Sequence, residues 1–306
     1  MTALLQWMTS NPVRAFLASG LAALFSMFAL PMVAWLPGGI VSLGLLTGGV
    51  PIAASATAGA GFAFLWALSP MFGTLPALLV AIVLVLPSVL AAYALERSRS
   101  LSFAFQALTI GCCGLVLAIH GLLGDPVRAL APVIAELEPA LRQWADLLSR
   151  AGIEKTPKEI GEATASLAWA TFGWMVLLHG FLAQCGGLWG YARLREPGLF
   201  GREFRTLRLG NVIAWLLVAV FVASLDASWQ GGGWQAVEDL RFVLAAAFLV
   251  QALAVVHGLR ELQVIGLLPV VLAYVAVVLV PMALVGIGFA DTWVRFRERF
   301  APRQGV

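Results

Sequence analysis

Long apolar runs constrain this chain more than any other feature. They occupy residues 13–36, 39–68, 72–95, 101–124, 163–192, 209–225, 240–259 and 262–290. A helix needs about 20 apolar residues to cross a ~30 Å hydrocarbon layer. Inside that layer every backbone N–H and C=O must find a partner within the protein, so only helices or closed barrels can span it. The short alternating segments of a barrel are missing. The runs therefore predict an all-α fold, a polytopic transmembrane helical bundle. Of the 306 residues only 11% are charged, against roughly 25% in soluble proteins, and 61% are hydrophobic. A soluble domain, a disordered chain and a fibrous repeat are excluded.

The run 39–68 is too long for one simple span. Gly38, Gly39, Gly48, Gly49 and Pro51 punctuate it, and it reads as two short helices, 39–49 and 51–68. That gives eight or nine membrane segments. Residues 1–12 carry no charged side chain, and the run 13–36 exceeds the apolar core of a signal peptide, so no cleavable leader is expected. Cys112, Cys113 and Cys185 all fall inside apolar runs and form no metal-binding CxxC pair.

Charges between the runs give an orientation. Arg97 and Arg99 outweigh Glu96. Segment 193–208 carries Arg193, Arg195, Arg202, Arg205 and Arg208 against Glu196 and Glu203. Both connections are expected in the cytoplasm. Segments 125–162 and 226–241 are net acidic and are expected outside. The N-terminus is then cytoplasmic. The C-terminus receives conflicting signals: counting spans places it outside, whereas Arg295, Arg297, Arg299 and Arg303 favour inside.

Segment 125–162 predicts an external amphipathic hairpin. Asp125-Pro126 is a helix start, and Leu130, Ile134, Leu137, Leu141, Trp144 and Leu148 then recur at helical spacing. Thr156-Pro157-Lys158-Glu159 is a capping box that starts the return helix. The hairpin reads as a surface helix or as a lid over a ligand site.

Polar residues within the membrane are the best pointers to a site, because burying them is costly. His179 and Gln184 share the run 163–192 with Gly180, Gly186, Gly187 and Gly190. They either hydrogen-bond across a close helix contact or meet a ligand. Gln251, His257 and Glu261 form a second strip, with Arg260 beside it at the expected cytoplasmic end. Here the alternatives are an interfacial cluster and a ligand site. Gly48, Gly49 and Gly59 mark a small-residue stretch that would pack two short helices or wall a binding site. The tail 291–306 reads as an Arg-rich amphipathic anchor or a docking segment. Trp293, Phe296 and Phe300 form its apolar face, and Asp291 can pair with Arg295. His120 falls near an outer membrane end and is given no role.

Catalytic motifs are missing: there is no HExxH, GxSxG, phosphate-binding loop or DxD pair. No catalytic residue, metal site or cofactor is expected. The Arg-rich segment 193–208 lacks interleaved aromatics, so Arg202, Arg205 and Arg208 favour anionic lipid over nucleic acid.

Three stretches taken together resemble the YybS-like family of uncharacterised bacterial inner-membrane proteins. They are Pro37-Gly38-Gly39-Ile40-Val41 leading to Gly48-Gly49, Phe204-Arg205-Thr206-Leu207-Arg208-Leu209, and Gly286 through Trp293 followed by Arg295 and Arg297. The resemblance covers most of the chain and transfers no catalytic residues. It implies a distant similarity to the substrate-binding S components of energy-coupling-factor transporters. Those proteins dock a transmembrane partner through an Ala-xxx-Ala pattern, which Ala18 and Ala22 fit. The expectation is a non-enzymatic inner-membrane protein that binds or helps transport a small molecule, with the lipid bilayer and a transporter module or other membrane protein as partners. A scaffold that recruits other membrane proteins and an enzyme acting on lipid-linked substrates remain alternatives.

Overall fold

A computed structural model describes residues 1–28, 33–225 and 233–300. Residues 29–32 of the first run, 226–232 of the second acidic connection and 301–306 of the tail lie outside the described residues. The described residues are helical, with no strand among them. In chain order the helices are α1 (Thr2–Thr9), α2 (Pro12–Phe28), α3 (Leu36–Phe72), α4 (Thr74–Ser98), α5 (Leu101–Leu123), α6 (Pro126–Ala129), α7 (Ala131–Glu136), α8 (Glu138–Arg150), α9 (Pro157–Ser166), α10 (Ala168–Leu194), α11 (Leu199–Arg205), α12 (Gly210–Ser224), α13 (Gly233–Glu261), α14 (Leu267–Leu279), α15 (Pro281–Val294) and α16 (Phe296–Arg299). Four of them are long and apolar enough to cross a membrane, and up to seven spans result if each bent helix pair counts as one. The protein is an integral membrane protein by this measure.

The chain divides into two compact units. The first comprises Met1–Gly111, Val176–Ala214 and Ala246–Val306. Its α3 contains the break expected at Gly48-Gly49. Gly49 has φ 73° and ψ −164°, which glycine adopts without strain. A Cβ on Gly44 would lie 3.5 Å from the Ala53 amide nitrogen. Nine residues along a straight helix cover about 13.5 Å, so α3 doubles back into two arms, 36–48 and 50–72. Val41 on the first arm joins a buried cluster with Ile52, Ala53 and Ala56 on the second, completed by Ala15 of α2.

Helix α2 lies along the second arm at backbone contact distance. A Cβ on Gly59 would run into the Phe16 carbonyl oxygen, and one on Gly20 would sit 3.2 Å from the Gly59 carbonyl oxygen. Small residues permit such approach where lipid supplies no hydrophobic drive between helices. Ala18 is buried in this region and Ala22 is half-buried. Their neighbours Ala15 and Ala23 are packed within the chain against the second arm of α3.

The run 262–290, read above as one span, is instead two short helices. α14 and α15 meet at Val280 with a 118° bend. Each is about 20 Å long, too short to cross alone. Tyr274 of α14 reaches His257 near the end of α13, whereas Gly288 of α15 lies against the Phe248 carbonyl oxygen and Arg297 beyond it lies against Gly258. So α14 runs antiparallel to α13 and α15 returns parallel to it. Counting this pair as a re-entrant loop rather than a crossing removes the conflict over the C-terminus.

The second unit comprises Cys112–Met175 and Trp215–Ala245. Asp125 caps α6 by accepting a hydrogen bond from the Arg128 amide, and Thr156 and Glu159 form the expected reciprocal capping box at α9. The single amphipathic helix expected over 126–150 is corrected to three pieces, broken at Leu130 and Leu137. Pro132 and Pro139 cause this: each sits in the first turn of the next piece, where its missing N–H costs nothing. Ile134 and Leu141 approach α9 at Gly161. Val116, Gly173 and Val243 bring α5, α10 and α13 into contact.

Candidate functional site

The first arm of α3 runs parallel to α10 along a seam lined by glycines. A Cβ on Gly38 would lie 2.5 Å from Ser88 Oγ and 2.9 Å from Ala183 Cβ. Gly187 leaves room for Ser42, Gly190 for Leu43, and Gly186 for the Trp35 ring. The sequence folds this way because Gly38-Gly39 and Gly186-Gly187 present no side chain where the backbones approach.

Gln184, next to Ala183 on α10 and three residues before Gly187, is wholly buried, and neither Oε1 nor Nε2 has a hydrogen-bond partner. The buried Ser42 hydroxyl, also in the seam, is likewise unpartnered. The packing alternative required Gln184 to bond across the helix contact, and it does not. Each unsatisfied buried group costs about 1–3 kcal/mol, so this amide and hydroxyl are expensive unless something else meets them. His179, five residues earlier on α10, is half-buried and engaged with its surroundings. Gly48 and Gly49 sit at the tip of the α3 arms and serve as its hinge, while Gly59 belongs to the α2 crossing.

Gln251 is the opposite case. Its Oε1 accepts from the Leu209 amide at 2.7 Å and its Nε2 donates to the Gly288 carbonyl at 2.7 Å. The start of α12 and the middle of α15 are thereby tied to α13. His257 shares a 3.0 Å hydrogen bond with the Tyr274 hydroxyl and meets the Phe204 ring edge-on. Glu261 pairs with Arg205 at 3.4 Å. The strip Gln251–His257–Glu261 is thus fully partnered.

The tail is built around Arg297, not around an apolar face. Asp291 pairs with Arg297 at 2.6 Å rather than with Arg295, which takes a left-handed conformation and ends α15. The amphipathic helix expected through 291–300 is corrected on this point: it breaks at Arg295, because the Asp291 carboxylate turns to cap the Phe296 amide at 3.0 Å. Arg297 also donates to the Arg205 and Leu207 carbonyls. Arg208 binds Glu298 at 2.5 Å and lies 3.8 Å from Asp291. That hydrogen bond holds the Glu298 carboxyl below the usual carboxylate range. Arg202 pairs with Glu196, and Trp293 stacks edge-on against Phe289. Glu203 accepts from the Leu101 amide, and Ser102 Oγ from the Arg208 amide. The two basic connections, and the tail with them, therefore share one end of this unit.

No family model, curated protein or solved structure matches the chain. The functional reading rests on the geometry alone. Among the described residues no group of three or more His, Cys, Asp or Glu side chains is placed to hold a metal ion.

In the second unit the structure supplies a pair that the sequence reading missed. His120 was expected to be solvated and idle. The residue is half-buried with its side chain 8% exposed, and Nε2 lies 2.8 Å from Asp239 Oδ2. The available signal was that His120 and Asp239 end apolar runs assigned to the same outer side.

Proposed function

We propose that the protein binds a small, uncharged polar molecule within the membrane, as a solute-capturing component related to transport. The carrying observation is the wholly buried Gln184 amide, which has both a donor and an acceptor unused, together with the unpartnered Ser42 hydroxyl, which lies against Gly187 three residues further along α10. The first α3 arm is hinged at Gly49 and held to α10 through glycines. Movement of that arm would open the seam, and a ligand with adjacent donor and acceptor groups would satisfy what the closed state leaves unpaired. Broken helices that expose backbone near the midplane serve this purpose in transporters.

The finer topology belongs to the same proposal. It has eight or nine membrane segments in a bacterial inner membrane, with the α6–α9 hairpin outside. The N-terminus, the Arg202–Arg208 connection and the Arg-rich tail lie in the cytoplasm by the positive-inside rule. The resemblance to YybS-like proteins and S components fits this reading, with a transporter module as partner. The scaffold reading is favoured by one observation: Leu137, Trp144 and Leu147 are exposed on and beside α8.

Mass spectrometry of small molecules co-purified in mild detergent tests the proposal. The wild-type chain should retain a neutral polar metabolite that Gln184→Leu loses while remaining folded. An empty wild-type protein across several detergents, or equal retention by Gln184→Leu, overturns it.

A further inference from the structure

We propose that His120 and Asp239 form a proton-binding site. It uses none of the residues of the Gln184 seam. His120 lies on the last turn of α5, and Asp239 lies two turns into α13. Their side chains are 8% and 2% exposed, and Nε2 and Oδ2 are 2.8 Å apart. Gln235, one turn before Asp239, donates to Asp239 Oδ1 at 3.2 Å and to the Ser166 carbonyl at 2.7 Å. One hydrogen-bonded chain therefore joins α5, α13 and the end of α9.

The charge count gives this chain its function. On α13 the neighbouring Glu238 is already paired with Arg241. From α9 the contribution is a neutral carbonyl, and from α5 it is His120 itself. When protonated, His120 supplies a cation to Asp239. With a proton on the imidazole the pair is neutral overall. Without it, a carboxylate that is 2% exposed keeps one neutral donor, Gln235, and a single hydrogen bond from His120. A buried charge left in that state is strongly unfavourable. Proton occupancy therefore sets the strength of the α5–α13 link, whereas the Gln235 bond to the Ser166 carbonyl that holds α9 is independent of it. An ionisable pair placed at a membrane-spanning helix is a functional site by default, and imidazole is the side chain that exchanges protons in the physiological range.

The test is histidine ring NMR of the protein labelled at histidine, in mild detergent, from pH 5 to pH 9. His179→Gln and His257→Asn variants assign the His120 signals by elimination. The His120 ring signals should report proton binding, and Asp239→Asn should weaken it. The wild-type melting temperature should fall as the proton leaves, and His120→Gln should abolish that pH dependence. Should Asp239→Asn or His120→Gln fail to fold, the His120 titration with Asp239 intact still decides. A ring signal unchanged over this range, or an Asp239→Asn variant with an unchanged midpoint, overturns the proposal.

Discussion

Replacing Arg297 by methionine should destabilise the protein by about 3–5 kcal/mol, the usual cost of leaving a buried charge without its partner. The side chain is 8% exposed, and Gly258 leaves room for its stem against α13. Methionine keeps most of that stem, so the loss is electrostatic rather than a cavity. The guanidinium binds the wholly buried Asp291 at 2.6 Å and donates to the Arg205 and Leu207 carbonyls. Without it, Asp291 retains the Phe296 amide and Arg208 at 3.8 Å.

The double variant Asp291→Asn with Arg297→Met separates the contributions. Asparagine keeps an acceptor for the Phe296 amide and carries no charge. What remains is chiefly the loss of the donor to the buried Leu207 carbonyl, about 1–3 kcal/mol, since the bond to the Arg205 carbonyl is only part-buried and water can replace it. The double variant should therefore be more stable than Arg297→Met alone, with a coupling of about 2 kcal/mol. Reversible denaturant unfolding in mixed micelles measures all four corners of the cycle. Additive single effects, or a double variant less stable than Arg297→Met, would refute the view that Arg297 serves chiefly to neutralise Asp291.

Three further outcomes follow from the same geometry. A reporter fused to the C-terminus should give the same side as one inserted after Glu196, because α14 and α15 fold back and Arg208 binds Glu298; opposite sides would sink the fold-back reading. Gly59→Ala should cost about 1–3 kcal/mol by forcing α2 off the second arm of α3, whereas Gly61→Ala, with open space at its Cβ, should be neutral or slightly stabilising in the same unfolding assay. Glu298 contributes through a depressed carboxyl pKa. Its contribution is therefore full above the unfolded value of about 4.3 and is lost as pH falls through the folded value. Melting curves of Glu298→Gln should lack that part of the acid dependence.

How far the sequence could be read depended on the range of each interaction. The break in α3 was legible because Gly48, Gly49 and Pro51 are adjacent and their effect is local. The caps at Asp125 and Thr156 were legible for the same reason. Gln184 stood out as a polar group in an apolar run, but its lack of a partner could not be read, since that depends on which helices pack around α10. Hydropathy hid the α14–α15 turn: Val280-Pro281 interrupts helical hydrogen bonding without interrupting apolar character. Pro132 and Pro139 were visible, yet the apolar spacing continues across both breaks, so periodicity alone joined three helices into one. Arg297 and His120 show the limit most sharply. Each looked like a solvated end-of-helix charge. Arg297 is buried where it donates to the Leu207 carbonyl, 90 residues away, and the His120 ring is covered where it meets Asp239, 119 residues away. Such pairs follow from which helix ends meet, and a single sequence specifies that only through the whole packed bundle.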